Sequence, residues 1–76
     1  MQVTELAVGL TDGKGELVRL YDWLAQRKIT VREIDLKRQE GSSVKIVLYI
    51  AMPRHFDKAD FLRLQEDIPG VQSVER

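Results

Sequence analysis

The stretch Val44-Lys45-Ile46-Val47-Leu48-Tyr49-Ile50-Ala51-Met52 decides the fold. Val44, Ile46, Leu48, Ile50 and Met52 recur at a period of two, the spacing that sends side chains to one side of a strand. The intervening set, Lys45, Val47, Tyr49 and Ala51, is not very polar. Pro53 then ends the run, because it cannot donate to a ladder. Upstream, Glu40-Gly41-Ser42 is a hairpin signal, so the run from Ile29 to about Gln39 is its partner strand. Within that run the parity changes: Ile29 and Val31 are odd, Ile34 and Leu36 even. A bulge or a strand start near Arg32-Glu33 reconciles them.

Further out, Val3 to Leu10 alternates, with Leu6, Val8 and Leu10 on one parity. Thr11 to Gly15 breaks it with two glycines and a capping residue in Asp12. From Glu16 the period becomes helical: Leu17, Leu20, Tyr21, Leu24 and Lys28 share a face, and the helix runs to about Arg27. Trp23 falls at the flank of that stripe. After Pro53-Arg54-His55-Phe56, Asp57 and Asp60 form a capping pair for a second helix, with Phe61, Leu64 and Ile68 inward. Pro69-Gly70 stops it, and Val71 to Glu75 closes the chain as a strand. The order is βαββαβ. The handedness of crossovers puts both helices on one face of a four-stranded antiparallel sheet, an α+β, ferredoxin-like two-layer sandwich.

The composition limits function. Seventy-six residues form one small domain, and 43% apolar with 32% charged residues is a globular composition. Twelve basic residues balance twelve acidic ones, which argues against a dedicated nucleic-acid or anionic-membrane binder. With no cysteine and His55 alone, thiolate sites, cysteine nucleophiles and a histidine-based zinc site or triad lack their parts. The apolar stretch Val47 to Met52 is far short of the roughly 20 residues that cross a bilayer. No signal-like segment opens the chain, so the expected compartment is cytoplasmic. No cofactor motif is present, and no nucleophile has a base beside it, so the expectation is a non-enzyme. Asp57, Asp60, Glu66 and Asp67 fit helix capping and a solvated face better than a magnesium site.

Two places carry functional expectations. Asp12, Gly13 and Gly15 lie where backbone N–H groups at a helix start can hold a small anion or a ligand carboxylate, although the same residues serve a plain strand-to-helix turn. Val47 and Tyr49, on the side of the sheet without helices, are expected to form an apolar patch for a second copy or another protein, with Trp23 as an anchor. Strand edges offer a further route to pairing. The plainer reading has Trp23 packed between the helices and Val47 reflecting strand propensity. The first strand begins within two residues of Met1 and the last ends one residue before Arg76, as expected of a module excised from a longer chain.

These residues resemble the ACT domain, a small regulatory module of βαββαβ order. Asp12 to Gly15 matches its Asp-x-x-Gly turn, Ile29-Thr30-Val31 lies where its second strand begins, and Ile68 to Val74 resembles its closing Pro-Gly-Val-x-x-Val. Glu16-Leu17 departs from the Leu-Leu common after the glycine. Among ACT-like modules the chain is most similar to the cytosolic C-terminal domain of bacterial MgtC/SapB-family inner-membrane proteins. That similarity rests on the long strand ending at Met52-Pro53, the acidic-capped second helix and the Ile68-to-Glu75 ending. The resemblance implies a regulatory or interaction appendage at the cytosolic face of the inner membrane, linked to magnesium homeostasis, with membrane contact only through the parent chain. ACT domains of metabolic enzymes or Rel-type proteins are the alternative. They imply an amino-acid ligand near Gly15 and a dimer interface.

Overall fold

A computed structural model describes residues 2–11 and 15–76 of the chain. Its elements are β1 (Gln2–Leu10), α1 (Gly15–Gln26), β2 (Thr30–Glu40), β3 (Ser43–Met52), a 3-10 segment (Lys58–Arg63), α2 (Leu64–Asp67) and β4 (Val71–Glu75). The strands form one sheet in the order β2-β3-β1-β4, every neighbouring pair antiparallel. This is the expected ferredoxin-like βαββαβ topology.

The two central strands pair through nine residues without a shift, Gln2 opposite Met52 to Leu10 opposite Val44. Leu6 faces Leu48 and Val8 faces Ile46, so the even-numbered residues of both strands share one face. Leu6, Val8, Leu10, Leu48, Ile50 and Met52 are buried there beneath Leu20, Leu24, Phe61, Leu64 and Ile68 of the helical layer. Burying each such side chain contributes about 1.5–3 kcal/mol. The edges are less regular. β2 shifts register between Val31 and Glu33, where the parity change requires a bulge, and again between Leu36 and Arg38. The second shift was not expected.

The helical layer differs from the sequence reading in two respects. The buried residues of α1 are Glu16, Leu20, Trp23 and Leu24, so the stripe is turned away from Tyr21, which is exposed. Trp23 is only 5% accessible. Its Nε1 donates to Asp67 Oδ2 at 2.8 Å, its ring lies 6.2 Å from that of Phe61, and the Arg27 guanidinium sits 3.7 Å above it. A tryptophan can enter the core when its N–H finds a partner, and α2 supplies one. The second helix is mostly a 3-10 segment. Asp57 caps it by accepting from the Ala59 N–H at 3.0 Å, as the capping pair suggested. With three residues per turn, Phe61 and Leu64 stack one above the other onto the sheet.

Two backbone positions fix the ends of the layer. α1 closes with Ile29 N–H donating to Leu24 C=O and Lys28 N–H to Ala25 C=O, both at 3.0 Å, which is the Schellman arrangement. It forces Lys28 to a φ of 63°. Gly70 takes a φ of 101°, its carbonyl accepts from the Thr11 N–H at 2.8 Å, and the Glu16 side chain occupies the space where a Cβ would stand. Two substitutions therefore have opposite signs. Lys28→Gly removes a left-handed side-chain penalty and is expected to stabilise by about 1 kcal/mol. Gly70→Ala is expected to destabilise by about 1–3 kcal/mol. Urea denaturation of the two variants checks both signs.

Candidate functional site

The face of the sheet without helices carries Val3, Glu5, Ala7 and Gly9 from β1 and Lys45, Val47, Tyr49 and Ala51 from β3. From β2, Thr30, Glu33, Asp35 and Arg38 lie opposite Ala51, Tyr49, Val47 and Lys45. From β4, Ser73 and Glu75 lie opposite Gly9 and Ala7. The charges segregate. Glu5, Glu33 and Asp35 surround Tyr49, whereas Arg38 and Lys45 share the far end with Gly9 and Ser73.

Tyr49 is the centre of the acidic end. Loss of hydration, then the negative charges of Glu5, Asp35 and Glu33, then a hydrogen bond to Asp35, all raise its hydroxyl pKa above 10.0. Val47 is 9% accessible and Ala51 is buried. The apolar contribution of this face therefore falls to the Tyr49 ring and to Val3, which is 62% accessible. Of the three residues expected to form an interface, Val47 and Tyr49 share the open face. Trp23 lies on the opposite side, inside the core, so the anchor role expected of it has no surface to act from.

The basic end is a depression of about 290 Å³ lined by Gly9, Arg38, Glu40, Ser43, Val44, Lys45, Gln72 and Ser73. Sequence reasoning missed it, because Arg38 reaches this face only through the second β2 bulge. The one signal in the sequence was a glycine inside an otherwise regular strand, which marks a close approach. Ser73 Oγ lies 2.5 Å from where a Cβ on Gly9 would be.

On the helical side, Ile34 and Leu36 of β2 stay exposed. A groove of about 300 Å³ opens there between Leu17 and the strand residues Ile34, Leu36 and Ile46, leaving Leu36 59% accessible. The outer edge of β2 is interrupted by its two bulges, at Arg32 and Lys37. Bulges and cations on an edge strand deter further strand pairing.

Of the expected ligand residues, Asp12 and Gly13 lie outside the described residues. Gly15 opens α1 with free space where a Cβ would be. The Thr11 hydroxyl donates to the Gly70 carbonyl at 2.7 Å, so the end of β1 is tied to the Pro69-Gly70 turn. Three of the four acidic residues considered for magnesium are engaged within the helical layer: Asp57 caps, Asp60 lies 3.8 Å from Arg63, and Asp67 binds Trp23. Among the described residues no group of three or more His, Cys, Asp or Glu side chains is placed to hold a metal ion. Nor is any helix there long and apolar enough to cross a membrane.

No protein-family model and no curated protein matches the chain. Solved structures do match its fold. The chain is similar to the C-terminal domain of the MgtC protein from Mycobacterium tuberculosis, with a TM-score of 0.74 and 19% identity over 99% of this chain and 84% of that one. It is also similar to a formyltetrahydrofolate deformylase from Pseudomonas putida KT2440, with a TM-score of 0.72 and 18% identity. That match covers 97% of this chain but 28% of the deformylase chain. The fold is thus that of the MgtC C-terminal domain, as the ACT-like resemblance implied.

Tyr49 provides a titration test of the open face. Because its folded pKa lies above the unfolded value of 10.0, its contribution to stability is complete below pH 10 and is lost as the pH rises through the folded value. Absorbance titration is expected to show Tyr49 ionising above the ordinary tyrosine value of 10.0. Glu33→Gln should lower the Tyr49 transition toward that value.

Proposed function

We propose that this chain is a non-catalytic regulatory and interaction module of the kind appended to the C-terminus of bacterial MgtC/SapB-type membrane proteins, held at the cytosolic face of the inner membrane by its parent chain. Magnesium homeostasis would be the process that the parent serves. The observation carrying this reading is the uncovered sheet face, which brings Tyr49 and Val3 to the surface while both helical elements pack behind it. The same fold spans most of the MgtC domain and about a quarter of the deformylase chain, which supports a unit that works as part of something larger.

In this reading the module regulates by association, most simply with a second copy of itself. The face is preferred over the β2 edge because the bulges at Arg32 and Lys37 break the run of free backbone groups that strand addition requires. The alternative is an amino-acid sensor of the metabolic-enzyme type. It would use Gly15 at the start of α1, and the bond from Thr11 to Gly70 favours it by tying the end of β1 to the Pro69-Gly70 turn.

Sedimentation at micromolar concentrations separates the two. Association through the face predicts a dimer that Val3→Asp and Tyr49→Asp both weaken, since each adds a carboxylate to an already acidic end. A strict monomer indifferent to both changes, with amide shifts near Gly15 on adding an amino-acid panel, would favour the sensor.

A further inference from the structure

We propose that the basic end of the open face is a binding cup for the phosphate group of a small hydroxylated phosphomonoester. Its floor is Gly9. The φ of Gly9 is not in the positive range that would demand glycine, so what the position requires is room. Any side chain there would strike Ser73 Oγ, which hangs over the strand from β4. A Cβ at this position would displace Ser73 Oγ from the lining.

The walls bring donors from three strands around that floor. Arg38 and Lys45 lie directly opposite each other on β2 and β3, and Ser43 stands at the start of β3. Ser73 and Gln72 approach from β4 on the other side. Like charges directly opposite on adjacent strands are destabilising, and an anion between them turns that repulsion into attraction. Each cation has only a weak internal partner. Lys45 Nζ lies 3.3 Å from Glu75 Oε1, and Arg38 Nε lies 3.9 Å from Glu40 Oε1. Exposed pairs of this kind are worth at most about 1 kcal/mol, so both cations are free to turn to a ligand.

The donor geometry selects the ligand class. Two cations and two hydroxyls converging from opposite sides suit the several oxygens of a tetrahedral phosphate better than a planar carboxylate, which has two. Glu40 repels the phosphate of either ligand alike, but it can accept a hydrogen bond from an alcohol hydroxyl carried beside that phosphate, which favours a hydroxylated ester over free phosphate. At about 290 Å³ the depression lies near the lower limit of small-molecule sites and has room for such a body.

The test is an amide NMR titration of the whole chain with glycerol 3-phosphate, inorganic phosphate and acetate at constant ionic strength. The expected result is saturable shifts at Gly9, Ser43, Lys45 and Ser73 with glycerol 3-phosphate, weaker ones with phosphate, and none with acetate. Lys45→Ala and Arg38→Ala should each weaken binding about tenfold or more, as lost charge-assisted bonds do. Ser73→Ala, which leaves both charges in place, should weaken it less. Equal saturation by phosphate and the ester would identify free phosphate as the ligand and overturn the ester assignment. Linear shifts, shifts equally large at Arg54 and Lys58, or affinity unchanged in the Lys45 and Arg38 variants would overturn the cup itself. Sedimentation of the same variants without ligand reads association separately, so failure of the cup does not count against the interaction module.

Discussion

The structure depends on the unshifted pairing of β1 with β3. Nine consecutive pairs hold Leu6 to Leu48 and Val8 to Ile46, and every even-numbered residue of the pair turns toward the helical layer. A slip of one residue would send this whole set to the other face, so burial of one side fixes the register strongly. The irregular features lie outside the pair. β2 bulges twice and β4 shifts at Gly9 and Leu10. The helical layer adapts in the same way, with a 3-10 segment and a single turn of α-helix seating Phe61 and Leu64.

That arrangement also determines what the reverse face can present. The small side chains of β3 on this face, Val47 and Ala51, are buried. What remains accessible is an aromatic ring among carboxylates at one end and a pair of cations over a glycine at the other. A face divided in this way can take part in both association and ligand binding. A ligand at the basic end would neutralise charge within one sheet of the surface proposed to associate, and electrostatic complementarity governs such encounters. The regulatory reading and the cup are therefore compatible, although each rests on its own residues.

Much of the fold was legible because it is written in short-range patterns. The alternation of Val44 to Met52, the parity break near Arg32, the Asp57 cap and the Pro69-Gly70 stop each follow from chemistry within a few residues. What was left open or escaped depends on distant partners. Trp23 turns inward because Asp67 and Phe61, about 40 residues away, receive its indole. Lys28 adopts a left-handed backbone without the glycine that would have announced it. The cup needs a second bulge in β2, whose only trace is Lys37 standing between Leu36 and Arg38. In the candidate site, Tyr49 and Val47 were legible from parity alone, whereas Gly9, Arg38 and Ser73 required the pairing of three strands.

The central claim, one covered and one open side, is tested most directly by paramagnetic relaxation from a dissolved gadolinium chelate, read on methyl groups at a concentration where the chain is monomeric. The account predicts strong broadening at the Val3 methyls and protection at Leu6, Val8, Leu48 and Ile50. Comparable protection of Val3, or broadening of the even-numbered set, would contradict it.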